Sequence, residues 1–410
     1  MTLMLTRPEM RRASSLYFAI GLMQASYLPF AGIIFRDRGV SFEAIGLIGA
    51  VNSMVSLGAA PIWGHLGDAV LGRAAAFRAA LLLAAIGVAL FAVGPFAGIP
   101  GAAIAAFAGA GLVPLLDSIG MEQLAKVGGQ WGPLRAITSF SYAAMCVVSG
   151  SLVAIGGAVV IGPMYGATAL AVVAGTIGLH TRPALRHATR PTPSDAEAEI
   201  ERTEIAGTNA EIAVVGDWRD RFGTVNLAFQ QSPGLFSFLM LSLLINLGAG
   251  IFYAYGSFRI QEVGGNAAAV AFGGTISALV EIPFFLAGGA IAARLGLRTL
   301  FVLGLLAMGA CSVGYAVIDT PSALAIVRSL VGIGFACTLL ASVLSVRDLV
   351  PAALQATGQA LYQSVSYGLA IAIAALIGGI IYGELGAAPL FFLSAAIMFG
   401  AIPIAWRVLR

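Results

Sequence analysis

What the sequence has least of is charge. Asp, Glu, Lys and Arg together make up 10% of the 410 residues, where soluble domains carry about 25%. Hydrophobic residues make up 59% and the mean hydropathy is +0.94, which excludes an ordinary soluble fold. Cysteine is nearly as scarce. Cys146, Cys311 and Cys337 stand inside apolar runs without Cys-x-x-Cys spacing, so neither a disulfide framework nor a thiolate metal site is expected. His65, His180 and His187 fall in loops without converging ligands, which argues against any metal site. Regular polar/apolar alternation is missing, which excludes a membrane β-barrel. Also missing are His-Glu-x-x-His, a nucleophile elbow and any clustered His and Asp, so neither an enzyme nor a cofactor is expected. The formal charge of +3 is spread over loops and offers no surface for nucleic acid. Arg7, Arg11 and Arg12 lead straight into a full-length apolar span with no small-residue cleavage site, so the first helix is expected to stay.

What is present is a succession of apolar runs of membrane-spanning length, and only helices satisfy their backbone at that length and hydrophobicity. The expected fold is an all-α membrane protein of twelve transmembrane helices. The first six fall near 14–36, 42–66, 74–94, 98–125, 132–156 and 160–180. The second six fall near 234–259, 267–292, 298–318, 321–345, 353–382 and 387–408. Residues 1–180 and 234–410 form the two halves, and the hydrophilic stretch 181–233, with its DAEAEIER run, is a solvated cytoplasmic linker. Arg73, Arg78, Lys126, Arg182, Arg186, Arg190, Arg294, Arg298, Arg347, Arg407 and Arg410 all fall on one side. Only Arg36, Arg38 and Arg259 fall on the other. Retention of Lys and Arg inside puts both termini in the cytoplasm of a multi-pass inner-membrane protein, expected to be a monomer in the bilayer.

The halves look duplicated. A shift of 225 positions lays Pro8 on Pro233, Gly39 on Gly264, Gly64 on Gly289 and Arg73 on Arg298, and it lays the SFSY ending at Tyr142 on the SVSY ending at Tyr367. Two six-helix bundles related by an axis along the membrane normal fit that offset. Between the second and third helices stands GHLGDAVLGR, residues 64–73, an Asp and an Arg five positions apart bracketed by glycines that permit a tight turn. This turn resembles the signature of major facilitator superfamily (MFS) transporters. The resemblance implies that Asp68 and Arg73 gate the cytoplasmic end by bracing it against the start of the eleventh helix, near Pro351 to Leu354. The second copy, GAIAARLGLR, has Ala293 where Asp68 stands.

An ionisable side chain in hydrocarbon costs roughly 2.5–3.5 kcal/mol on insertion scales, so each needs a partner or a watery cavity. Asp117 and Arg135 flank the turn between the fourth and fifth helices at similar depth and are expected to face each other. That pair either clips the hairpin together or touches substrate. Glu122 lies nearer the cytoplasmic end and is read as interfacial. In the second half, Asn246, Glu281 and Arg328 need explaining. Glu281, near the middle of the eighth helix, is the first candidate for proton coupling, with Arg328 or Asn246 as its alternative structural partner. Gln24, Tyr27, Asn52, Phe252, Tyr253, Tyr255, Gln359, Gln363 and Tyr367 are candidates to line a central cavity, although helix packing alone accounts for aromatics.

The stretch PLLDSIGMEQLAKVGGQWGPLRAITSFSY, with YLPFAGIIF and AAPIWGHLGDAVLGR before it, resembles the lactose permease group of proton symporters, which includes sugar, nucleoside and phenylpropionate carriers. The resemblance implies a secondary transporter working by alternating access, with a proton as coupling ion. It places Asp117 and Arg135 at the substrate-binding acid and its arginine, and Tyr142 at an aromatic stacking position. Proton coupling would then fall to Glu281, Asp117 and Arg328, and the solute would be a sugar, a nucleoside or an aromatic carboxylate. The sequence departs from the group after Arg328, where VRSLVGIGFA has neither the His nor the Glu used in coupling. The alternative reading is a proton-antiport exporter of drugs or metabolites, for which GAVVIGPMYG offers only irregular glycine and proline spacing.

Overall fold

A computed structural model describes residues 8–127, 131–177, 218–351 and 354–409. Arg7, His180, Arg182, Arg186, His187, Arg190, Arg410 and most of the expected linker 181–233 lie outside the described residues. Regular structure among the described residues is all helical. Ten helical stretches are long and apolar enough to cross a membrane. Two of them, Gly132–Gly175 and Ala267–Val317, run to 44 and 51 residues. At 1.5 Å per residue these are about 66 and 76 Å long, roughly twice the 30 Å hydrocarbon core. Each therefore crosses twice, turning back at Gly157 (φ 66°) and Gly296 (φ 75°). That left-handed backbone strains any residue carrying a Cβ. Among the described residues the count is twelve.

The first span is broken, Pro8–Tyr27 and then Ala31–Asp37. The sequence reading expected one helix, but Pro29 disfavours helical backbone at Leu28 before it. The second span, Phe42–His65, ends in a π-helical turn, Leu66–Val70, and the third is Arg73–Val93. The fourth, Pro95–Val127, is longer than expected. The fifth is Trp131–Gly156, and the sixth, Ile161–Gly175, stops short of the expected 180. A helix Trp218–Gln231 occupies the end of the expected linker. The seventh span is Leu235–Glu262, and the eighth and ninth share Ala267–Val317. The tenth is split at Arg328 into Pro321–Val327 and Ser329–Leu349. The eleventh runs Gln355–Gln363, a π-helical segment Ser364–Leu369, and Ala370–Leu385; the twelfth is Ala387–Val408.

The duplication is visible in the backbone. Gly39 (φ 82°) and Gly264 (φ 91°) make the same turn. Two residues later, Ser41 caps the second span by accepting from the Ala44 amide, and Asn266 caps the eighth by accepting from the Ala269 amide. Each half closes on its own core. Tyr17, Phe77, Phe91 and Leu134 sit in the first; Phe238, Phe301, Tyr315 and Phe391 sit in the second. Among the described buried residues, only Ala271 joins the first core from the second half, and only Ile33 does the reverse. Two pseudo-symmetric bundles thus keep separate cores and meet along the fifth and eighth spans and the second and eleventh, with Ala136, Phe285 and Ala336 forming a small shared cluster. Small residues hold each together where lipid gives no hydrophobic drive between helices. Gly87 and Gly101 bring the third and fourth spans into backbone contact, since a Cβ at either would strike the other's carbonyl.

Candidate functional site

The fifth and eighth spans run antiparallel along the boundary between the halves. On the fifth, positions 132, 139, 143, 146 and 150 recur at the spacing of one helix face. On the eighth, they meet 285, 281, 275, 274 and 271. Gly150 lies against Ala271 and the backbone of Ala268, and Gly132 against the Phe285 carbonyl. Between them, Thr275 donates to the Ala143 carbonyl at 3.1 Å, and Ser139 donates to Glu281 Oε2 at 3.2 Å. The seam is about 27 Å long, from Gly132 to Gly150.

Three charged side chains gather along it. Arg135 rests its guanidinium over the Phe285 ring, 5.8 Å from the centroid, and its charge acts on the Glu281 carboxylate. Among the described residues the two do not close to an ion pair. Glu281 is surrounded by protein yet keeps some accessible surface at the boundary between the halves. Arg328, at the break in the tenth span, lies 5.7 Å from the centroid of Phe252. Tyr142 and Tyr253 are each within electrostatic reach of both Glu281 and Arg328. Tyr367, in the π-helical segment of the eleventh span, is within reach of Arg135. The repeated Ser-x-Ser-Tyr thus supplies one tyrosine from each half. A π-helical turn inside an α-helix is rare and often marks a functional position.

Several expected placements change. Asp117 does not face Arg135 in an ion pair; its Oδ1 accepts a hydrogen bond from the buried Tyr17 hydroxyl at 2.5 Å, joining the first and fourth spans. Glu281 takes Ser139 and the Arg135 charge as neighbours, rather than a structural pairing with Arg328 or Asn246. The reason is register, since the antiparallel seam sets position 281 opposite 139. Tyr255 does not line the central opening; it donates to the Ala375 carbonyl at 2.6 Å and stacks on Tyr382. Tyr27 packs against Phe91 and Tyr165 inside the first core. Gln359 donates to the Val343 carbonyl at 3.1 Å and tacks the eleventh span to the tenth. Gln363 is exposed, while Gln24 and Asn52 are half-buried. Asn246 donates to its own helix at Ser242, and beside it Tyr253, Tyr362 and Tyr367 line a small pocket. Asp68 and Arg73 pair at 2.9 Å across the π-helical turn; positions 352–353, within the partner expected for that turn, lie outside the described residues. Ser139, Tyr17 and Phe285 were not singled out by sequence reasoning, because nothing in their local pattern distinguishes them from packing residues.

The two ends of the molecule differ. At the end carrying the 38–41 and 263–266 loops, the halves are sealed. A Cβ on Gly46 of the second span would strike the Ala375 carbonyl, and Gly379 lies against the Phe42 carbonyl. Phe42 packs on Phe258 and Tyr382, whose hydroxyl donates to Glu262 at 2.8 Å. At the opposite end, Gly58 and Gly64 of the second span have open space where a Cβ would stand. The fifth and eighth spans nonetheless stay in backbone contact toward that end, at Gly132 and Phe285.

The family model described as MFS_1 like family matches residues 10–393. The maltose permease of Geobacillus stearothermophilus is 25% identical over 386 residues, covering 92% of this chain and 89% of that one. Among solved structures, the nucleoside transporter NupG superposes with a TM-score of 0.75 at 15% identity, covering 98% of this chain and 99% of that one. The peptide transporter POT gives 0.69 at 16% identity, covering 98% and 96%. These structures share the fold; the family match spans nearly all of the sequence read here. With its duplicated six-helix halves and a charged seam between them, the chain belongs to the MFS_1 like family.

Proposed function

We propose that this MFS-type membrane transporter carries a small organic solute across the inner membrane by alternating access, as a monomer, in symport with a proton. The observation that carries the reading is Glu281. It is a carboxyl deep in a membrane protein, at the boundary between the halves, and touched from the opposite half by Ser139 and the Arg135 charge. An acid so placed is a candidate proton carrier, and its neighbours change when the halves rock. Arg135 and Tyr142 contact the solute beside it. Asp117 acts by holding the first and fourth spans through Tyr17. With both termini cytoplasmic, the sealed end faces outward and the Asp68 turn lies at the cytoplasmic mouth.

Two features support a solute of modest size. The opening is flanked by Tyr142, Tyr253 and Tyr367, each offering an apolar face with a polar tip, and the relatives whose names state a cargo carry maltose, nucleosides and peptides. The test is uptake into proteoliposomes. Sugars, nucleosides and aromatic carboxylates are screened by thermal shift, and binders are offered with and without an imposed proton gradient, acid outside. Accumulation that requires the gradient and fails in Glu281→Gln supports symport. Gradient-independent equilibration, or extrusion in place of uptake, overturns it.

A further inference from the structure

Arg328 is the charged group that this mechanism leaves unused. A guanidinium cannot shed its proton in a protein, and a charge in the membrane interior needs a counter-charge. Among the described residues, none supplies one. Arg328 makes no ion pair; its guanidinium is within hydrogen-bond reach of the Tyr315 side chain, and Tyr142, Cys146 and Cys311 lie within electrostatic reach, none of them a carboxylate. It is nonetheless not sealed away. The residue keeps accessible surface.

The surroundings are shaped for it. Gly273 on the eighth span lies under the side chain, and a Cβ there would come within 2.9 Å of Arg328 Cδ and 3.3 Å of Ala325 Cα. Gly274, next along, makes the same room for Cys146 Sγ and the Tyr142 ring. The consecutive glycines let an arginine and a tyrosine occupy space between spans that side chains would fill. Along the eighth span, Gly273 and Glu281 are eight positions apart, about 12 Å. Arg328 therefore lies toward the end carrying the 38–41 and 263–266 loops, Glu281 and Arg135 toward the opposite end, and Tyr142 and Tyr253 reach both. Two arginines against one glutamate leave this space one positive charge in excess.

We infer that Arg328 binds the carboxylate of the transported solute, so that the cargo is a small organic monoanion whose body lies between Tyr142 and Tyr253. This rests on the reading that the space between the halves is the solute path. Guanidinium and carboxylate match in plane and in donor geometry. A monoanion also cancels the surplus charge, and one proton taken up with it makes the translocated load neutral.

The test is thermal stabilisation of the purified full chain in detergent by benzoate, phenylacetate and hexanoate. Each is set against its own carboxamide, with maltose, uridine and sulfate as further probes, all up to roughly 10 mM. The expected result is stabilisation by at least one carboxylate and not by its amide. Affinity falls about tenfold or more in Arg328→Gln and less in Arg328→Lys. Should Arg328→Gln fail to fold, Gly273→Ala carries the test, because it keeps the charge and displaces it; a similar tenfold loss is expected. The inference is overturned if no carboxylate stabilises the protein, if amides bind as well as acids, if sulfate alone acts, or if carboxylate binding survives both variants. Carboxylate binding that depends on Arg328 but drives no gradient-dependent uptake would sink the symport reading and leave this one standing. Gradient-driven uptake of maltose with no carboxylate effect would do the reverse.

Discussion

Ser139 of the fifth span donates its hydroxyl to Oε2 of Glu281 on the eighth, 3.2 Å away across the boundary between the two halves. The acid is therefore held by the half to which it does not belong. If Glu281 carries the proton, Glu281→Gln removes the proton site while keeping size and hydrogen bonding. Uphill uptake should then fall at least about tenfold, while exchange of solute down no gradient stays within about threefold. Paired uptake and counterflow assays in proteoliposomes read the two separately. Equal loss of both would assign Glu281 to solute binding alone.

The Tyr17–Asp117 hydrogen bond has a different signature. Because Tyr17 is buried and tied to Asp117, a substitution that takes away the hydroxyl or the carboxylate oxygen removes this hydrogen bond. Tyr17→Phe and Asp117→Leu should each cost about 1–3 kcal/mol of stability. The double variant should cost less than the sum, since both remove one interaction. Melting of the four proteins in detergent checks this. Strict additivity would mean that the two residues act through separate partners.

At the sealed end, Gly46 leaves no room for a side chain. A Cβ there would lie 2.9 Å from the Tyr255 hydroxyl and 3.1 Å from Gly379 Cα. Gly46→Leu should hold the second and eleventh spans apart, open this end and slow transport about tenfold or more, with solute still bound. Spin labels at Val40 and the exposed Ser322 should move apart in electron-resonance distance measurements. An unchanged distance in a folded variant would argue against this contact as the seal.

Gly296 turns the eighth span into the ninth with φ 75° and open space around it. A Cβ there meets no neighbour, so Gly296→Ala tests backbone strain alone. The expected cost is about 1–2 kcal/mol, read as a lower melting temperature with solute affinity unchanged.

Most of the architecture was legible because it follows from local chemistry. Apolar runs of membrane length have to be helices, and the turn chemistry of Gly39 and Gly264 repeats wherever the sequence repeats. The departures also have local causes that a hydropathy reading passes over. Pro29 breaks the first span, and the tenth and eleventh lose regular geometry at Arg328 and Ser364–Leu369. The site was legible only in part. Arg135, Glu281 and Arg328 stand out in the sequence because charged groups in hydrocarbon are costly, and Tyr142 through the resemblance of its hairpin. Their partners do not. Similar depth suggested Asp117 for Arg135, but the fourth span turns Asp117 toward Tyr17, one hundred residues earlier in the chain.

By itself, then, the sequence determined what must cross the membrane, how many times, and which few side chains demand an explanation there. Those follow from transfer free energies and from backbone groups that have to be satisfied within each helix. The tertiary structure alone decided which charge meets which neighbour. Rotation about a helix axis and register between spans are set by small-residue packing such as Gly273 under Arg328 and Gly132 against Phe285. Such contacts leave no periodic mark on either strand of sequence that makes them.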